Sequence, residues 1–197
     1  MKKIIFLAGV FSLAFLGQGV WADEIYNLDN AHSNVGFKIR HLGISDVKGK
    51  FDKFDGKLVF SGNELVSLEG AVDVNSINTA EPKRDEHLKS DDFFSVEKFP
   101  AMKFRSTKIT QNGDKISVVG ELTIRDVTKI VILNGEWRGF ADIEMNEMSV
   151  HKTGLVLETE INRKDFGLAF NALNGVGQAI VADKVFMTIE LEGNLQN

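Results

Sequence analysis

Cysteine is absent from the 197 residues, so no disulfide framework, thiolate metal site, cysteine nucleophile or lipid-modified N-terminal cysteine is open to this chain. Tyrosine and tryptophan are almost missing. Beyond residue 22 only Tyr26 and Trp137 occur, whereas of the 15 phenylalanines only Phe6, Phe11 and Phe15 lie earlier. Phenylalanine carries no polar handle, so a Phe-rich domain of this size holds much aromatic surface with nothing to bond, which suits a well-filled core and a greasy cavity equally. A basic surplus is lacking too. Without Lys2 and Lys3 the balance is 21 basic against 28 acidic side chains, a net charge of −7, which speaks against a nucleic-acid partner. The longest apolar run, Ile4 to Leu16, is about 20 Å of helix, too short for roughly 30 Å of hydrocarbon, and no stable membrane span is expected elsewhere. Low-complexity stretches, long linkers and convincing repeats are also missing, which leaves one domain of ordinary size.

The same apolar run sits behind Lys2-Lys3 and ahead of Gly17-Gln18-Gly19 and Val20-Trp21-Ala22, the three-part pattern of a secretory signal peptide. The sequence therefore divides into a leader, 1–22, and one mature domain, 23–197, expected to be soluble and to begin near Asp23. An MKK-type leader on a cysteine-free chain points to the bacterial periplasm, with full secretion as the alternative.

Strict alternation of apolar and polar residues, the signature of half-buried strands, recurs along that domain. It runs through Val35-Phe37-Ile39, Val66-Leu68-Gly70-Val72-Val74, Ile116-Val118-Gly120-Leu122-Ile124, Leu155-Leu157-Thr159-Ile161 and Val185-Met187-Ile189-Leu191. Weaker runs lie at 47–54, 57–60, 101–110, 129–137 and 140–148. Asp55-Gly56 and Asn112-Gly113 are strong hairpin cues, with Gly62-Asn63 and Asn134-Gly135 weaker ones. Many strands joined by short turns imply an all-β antiparallel barrel of about eight strands, because closure removes exposed edges. Strands of about ten residues make it roughly 30 Å tall, with interior enough for side chains or one elongated ligand.

A short helical insertion breaks the pattern. Residues 78–95 read as a helix with Thr79 as cap and Glu81 and Pro82 in its first turn. Ser90 reads as a second cap ahead of Asp91 and Asp92, with Phe93 and Phe94 presented by a short second turn over a barrel end or flank.

Four ordered blocks carry a family resemblance. His32-Ser33-Asn34-Val35-Gly36-Phe37, His41 and Val47-Lys48-Gly49-Lys50-Phe51 form the first. The second is Arg84-Asp85-Glu86-His87-Leu88 with Asp92-Phe93-Phe94 and Lys98-Phe99-Pro100. Gly120 to Ile124 with Val127-Thr128-Lys129 make the third, and Ile161-Asn162-Arg163-Lys164-Asp165-Phe166-Gly167 the fourth. With their order and spacing over residues 29–191, these blocks resemble the YceI-like family of bacterial lipid-binding proteins. The resemblance implies a lipocalin-like antiparallel barrel whose apolar pore holds a long-chain isoprenoid or fatty-chain lipid, commonly in a periplasmic homodimer. One departure is Asp126, where the family usually has Gly after the Ile-Arg pair; Asp tolerates a left-handed turn better than most residues.

The chemistry-bearing residues point away from catalysis. His32, His41, His87 and His151 form no HxH or HExxH pattern, so neither a metal site nor a cofactor is expected. Asp29, His32 and Ser33 superficially resemble a triad but lack a strand-turn-helix nucleophile elbow. Asp91-Asp92 serve a helix start, and Gly175-Val176-Gly177 is a loop without the third glycine of a dinucleotide fingerprint. Arg84 with Asp85 and Arg163 with Asp165 read as scaffold ties. No catalytic residue is assigned, and an enzyme is not expected. What remains is binding, with each buried CH₂ of a tail worth about 0.8 kcal/mol. The tail contacts expected are Val35, Phe37, Ile39, Phe51, Leu68, Val72, Met102, Phe104, Val118, Leu122 and Ile124, with Phe93 and Phe94 as a lid. A barrel wall has two faces, so for each of these alternation leaves ligand contact, core packing, helix contact and a partner subunit open. The competing reading is an extracytoplasmic stress or interaction protein with a filled barrel and no dedicated ligand.

Overall fold

Alternation and turn chemistry produce one antiparallel sheet in a computed structural model that describes residues 22–145, 148–177 and 179–196. The expected leader lies outside the described residues except for Ala22. In chain order the elements are β1 (Asp23–Leu28), β2 (Asn34–His41), β3 (Ser45–Phe51), β4 (Phe54–Ser61), β5 (Glu64–Asp73), β6 (Ile77–Asn78), α1 (Pro82–Lys89), β7 (Ala101–Asn112), β8 (Lys115–Ile124), β9 (Val127–Met145), β10 (Met148–Asn162) and β11 (Val181–Leu195). Short 3₁₀ turns occupy Val74–Ser76 and Arg163–Phe166.

Eight strands close a ring in the order β1-β4-β5-β7-β8-β9-β10-β11 and back to β1, as the alternation predicts. The ring is not uniform along its axis. β11 spends its C-terminal end on β1, from Leu28↔Gly193 to Tyr26↔Leu195, and its N-terminal part on β2, from Glu190↔Asn34 to Val181↔His41. β2 continues into β3, and β3 into the short β6, so at that end the sheet runs out without meeting β7. Helix α1 and the chain to Pro100 lie there. One end is thus closed by strand pairing, and the other is roofed by helix and loop.

Several local expectations change once partners are in place. Gly62-Asn63 and Gly113-Asp114 are hairpin turns, with Gly62 and Gly113 at positive φ as such turns require. Asp55-Gly56 is not a turn. Gly56 lies inside β4, where a Cβ would sit 2.4 Å from the Glu69 carbonyl oxygen. Asn134-Gly135 is likewise interior to β9, because 129–137 and 140–145 belong to one strand bent at Gly139 (φ 87°). Val66 does not share the inward face. A bulge pairs Phe60 with Leu65 and Val59 with Ser67, which turns Val66 out to solvent. Glu81, not Thr79, caps α1, and Ser90 ends it, with no second helix behind it. In the β8–β9 turn the left-handed residue is Arg125 (φ 57°), not Asp126.

Candidate functional site

Inward-facing side chains of the ring enclose a cavity of about 400 Å³ at the roofed end. Strand β2 aims Phe37, Ile39 and His41 into it, β3 adds Val47 and Phe51, and β6 adds Ile77. Gly49 keeps its place empty for Phe37, since a Cβ there would lie 2.4 Å from the Phe37 ring. Met102, Ile124, Ile161, Val185 and Met187 form the floor from β7, β8, β10 and β11. A second cavity of about 80 Å³ continues down the barrel and shares Met102 and Met187 with the first. Its wall includes Val35, Phe54, Leu68, Val72, Phe104 and Leu122.

The roof is held by polar contacts kept outside the cavity. Asp85 accepts from the Thr79 amide and hydroxyl, and Arg84 donates through Nε to Thr79 Oγ1 and through Nη2 to Thr79 O, both at 2.8 Å. Past α1, the Phe94 amide donates to Leu88 O at 3.0 Å and that of Ser95 to Ser90 O at 2.9 Å, which fixes both phenylalanines inward. Arg125 Nη1 donates to Phe93 O (3.3 Å) and Gly167 O (3.0 Å), so the strained β8–β9 turn ties roof to late loop. Asp91 does not cap a helix; it accepts from Ser95 Oγ and Lys98, and these contacts hold its carboxyl below the usual range.

Polar side chains on the cavity wall are few: His41, Arg84, His87 and Arg163. Arg163 is 3 % exposed and fully engaged, donating to the carbonyls of Leu168, Val181 and Ala182 and to Asp183, so it staples the loop 168–181 to the barrel. Its partner is Asp183 and not Asp165; burial draws its pKa down while Asp183 opposes the shift. Arg84 spends Nε and Nη2 on Thr79, which leaves Nη1 for another acceptor. His87 stands edge-on to Phe93 and Phe170, both at 5.1 Å, and its Nε2 lies 2.9 Å from Asp92 Oδ2. Phe93, Phe170 and His87 together make an aromatic cluster on the cavity wall.

The thirteen residues expected at the site fall into three places. Phe37, Ile39, Phe51, Phe93, Phe94, Met102 and Ile124 line the larger cavity. Val35, Leu68, Val72, Phe104 and Leu122 line the smaller one, with Met102 shared. Val118 lines neither: it is fully buried in the hydrophobic core. Sequence reasoning missed the loop residues Leu168, Phe170, Ala172 and Ile180, which sit in a stretch without strand or helix period. It also missed His87 and Leu88, although their i, i+1 place on α1 beside the Phe93-Phe94 pair was a usable signal.

Away from the cavity, Asp29, His32 and Glu192 bring three possible ligand atoms within 4.8 Å of one another. The place of a cation there is taken by the Lys152 ammonium, 3.0 Å from Asp29 Oδ2 and 2.6 Å from Glu192 Oε1. The hydrogen bond from His32, with that from Lys152, holds the Asp29 carboxyl far below its ordinary range, and Glu192 and Asp29 hold the Lys152 amine up. Ser33 is no nucleophile partner of this group, because its hydroxyl donates to Glu192 O and accepts from the Glu192 amide. The cluster is an ion-pair latch between β1, β10 and β11.

Comparison with known proteins places this architecture. A model of the YceI-like domain matches residues 26–193. A UPF0312 protein of Staphylococcus epidermidis is 35% identical over 174 residues, covering 87% of this chain and 98% of its own length. The crystal structure of the Campylobacter jejuni YCEI protein superposes with a TM-score of 0.68 at 34% identity, covering 86% of this chain and 97% of that one. A polyisoprenoid binding domain from Saccharophagus degradans shares the fold alone, with a TM-score of 0.66 at 14% identity over 87% of this chain and 98% of its own. Among the described residues no helix is long and apolar enough to cross a membrane.

Proposed function

The chain belongs to the YceI-like family, and from that premise we propose that it is a carrier that holds a long-chain isoprenoid lipid, or a similar amphiphile, in the chamber of its barrel. The observation that carries this reading is the chamber itself, about 400 Å³ walled almost entirely by hydrocarbon and extended downward past Met102 and Met187. Its size falls within the roughly 300–1,000 Å³ of small-molecule sites. Ten buried methylene equivalents would contribute roughly 8 kcal/mol before the cost of ordering the tail. A head group with acceptor oxygens would sit beside the aromatic cluster, where Arg84 has a donor to spare and His41 and His87 line the wall. A solved structure of the same fold carries the name polyisoprenoid binding domain, which is in keeping with a lipid in the barrel. The carrier works without chemistry of its own, as a periplasmic homodimer exported through residues 1–22.

Native mass spectrometry of the protein purified without detergent, followed by solvent extraction, tests this. A stoichiometric long-chain lipid is the expected result, and its mass distinguishes a polyprenyl chain, an isoprenoid quinone and a fatty chain. A clean apo mass that persists after incubation with isoprenoid lipids would overturn the reading in favour of an interaction protein. The same spectrum gives the N-terminus and the oligomeric state, and cell fractionation gives the compartment.

A further inference from the structure

A carrier must take its lipid from somewhere, and two loops at the roofed end carry the features of a place to do so. The β2–β3 tip (42–44) is joined to the loop 168–180 by a hydrogen bond from the Leu42 amide to Ile180 O at 2.8 Å, and the base of that loop is closed by one from the Ile180 amide to Ala172 O at 2.9 Å. The roots of both, at His41, Phe170, Ala172 and Ile180, line the chamber. Their tips point apolar side chains at solvent: Ile44 is 82% exposed, Val176 78%, Leu173 56% and Leu42 38%.

Charge is missing from the same place. Residues 167–182 contain no Asp, Glu, Lys or Arg, nor do residues 41–45, in a chain that is 26% charged overall. We propose that these two loop tips form a membrane-docking surface, in which Leu42, Ile44, Leu173 and Val176 enter the interface of a lipid bilayer and bring the chamber mouth against it. The proposal rests on the carrier reading for its purpose, while its physics is independent of it. Four side chains on two narrow tips fall well short of the roughly 800 Å² per partner of a standard protein interface, which argues against a second copy of the chain as occupant. They suit an interfacial anchor, where binding grows with the apolar area inserted. With a net charge of −5 on the whole chain and none on the tips, attraction to anionic lipid is not what drives the contact.

Flotation tests it. The purified protein, its N-terminus read by intact mass, is floated with vesicles of phosphatidylcholine alone and of equal parts phosphatidylethanolamine and phosphatidylglycerol, beside the Ile44→Asp/Val176→Asp variant. The wild type is expected to float with both vesicle types and to keep doing so at high salt. Each substitution should lower partitioning about tenfold, and the pair about a hundredfold, at the usual value of one buried aliphatic side chain. The variant's unfolding midpoint and its uptake of detergent-dispersed lipid should not change, because both side chains are exposed. Wild type that stays with the unfloated protein, equal flotation of the two forms, flotation with the anionic vesicles alone that salt abolishes, or loss of a dimer in the variant without loss of flotation would each overturn docking. Extraction of the same sample separates the two ideas: a chain that floats and holds no lipid keeps docking and removes the carrier, and a chain that holds lipid and never floats does the reverse.

Discussion

The two ends of the barrel are built from the same residue type and behave oppositely. At the strand-closed end Tyr26, Phe60, Trp137 and Phe140 meet with ring centroids 5.0 to 5.7 Å apart, each ring filling the space another leaves. The two polar atoms there are bonded, Trp137 Nε1 to Thr153 Oγ1 and the Tyr26 hydroxyl to Glu24. Burial, helped by Glu24, pushes the Tyr26 phenol well above its ordinary range. At the roofed end Phe37 touches Phe51 (5.7 Å), Phe51 touches Phe94 (6.2 Å) and Phe93 touches Phe170 (4.8 Å), yet all five rings also border a cavity of about 400 Å³. Aromatic enrichment therefore marks large apolar surface and nothing more. Whether it packs or lines a void depends on the distance to the opposite wall, which strand pairing shortens at β1 and helix and loop leave wide at α1.

Truncating one ring at each end breaks the comparison most sharply. Phe60→Ala should cost about 3–5 kcal/mol in urea unfolding, because it opens a cavity among three aromatic neighbours, Tyr26, Trp137 and Phe140. Phe37→Ala should cost less than half of that, since one face of the ring already borders empty space. Equal losses would mean that the chamber is not hollow in solution.

The ion-pair latch ties the chain after β1 to β10 and β11, and its removal comes next in size. Lys152→Met should cost about 1–3 kcal/mol by leaving Asp29 and Glu192 facing each other without their shared donor. The pH dependence has a definite sign. Asp29 has a lowered folded pKa, so its contribution is present above the ordinary carboxylate value of 3.8 and is lost as pH falls further toward its folded value. Lys152 has a raised one, so its share is present below 10.5 and lost as pH climbs past that. Unfolding midpoints of wild type and variant should converge at acid pH; a constant gap would dissociate the latch from stability.

Filling the hollow end should move stability less and binding more. Met187→Trp, at the junction of the two cavities, should change stability by about 1 kcal/mol or less and remove most of the extractable lipid. Unchanged lipid per chain in that folded variant would put the tail elsewhere. The smallest effect is expected outside both ends: Arg105→Ala removes an exposed cross-strand pair with Glu121 and should alter the unfolding midpoint by well under 1 kcal/mol.

Much of this is legible in the sequence. Alternation is local, so β8, with Ile116, Val118, Gly120, Leu122 and Ile124 on one face, could be read directly, and closure followed from the number of strands and their short turns. The Phe93-Phe94 pair after a helix stood out for the same reason. Failures came where a residue's role depends on a remote partner. Gly56 and Gly135 look like turn glycines and are instead strand positions against which another backbone lies close. Val66 belongs to the alternation of its own strand until a bulge in β5 turns it outward. Val118 shares the face of Leu122 and Ile124 but is wholly buried in the core and reaches neither cavity. The loop 168–180 has no period for sequence reasoning to use, and so Phe170 and Ile180 were invisible.

The sequence by itself determined the strands, the inward face of most of them, the helix and the family, because these depend on residues a few positions apart. The tertiary structure alone decided which inward residues face a neighbour and which face a void. That outcome turns on the gap between strands far apart in sequence, and no local pattern encodes it.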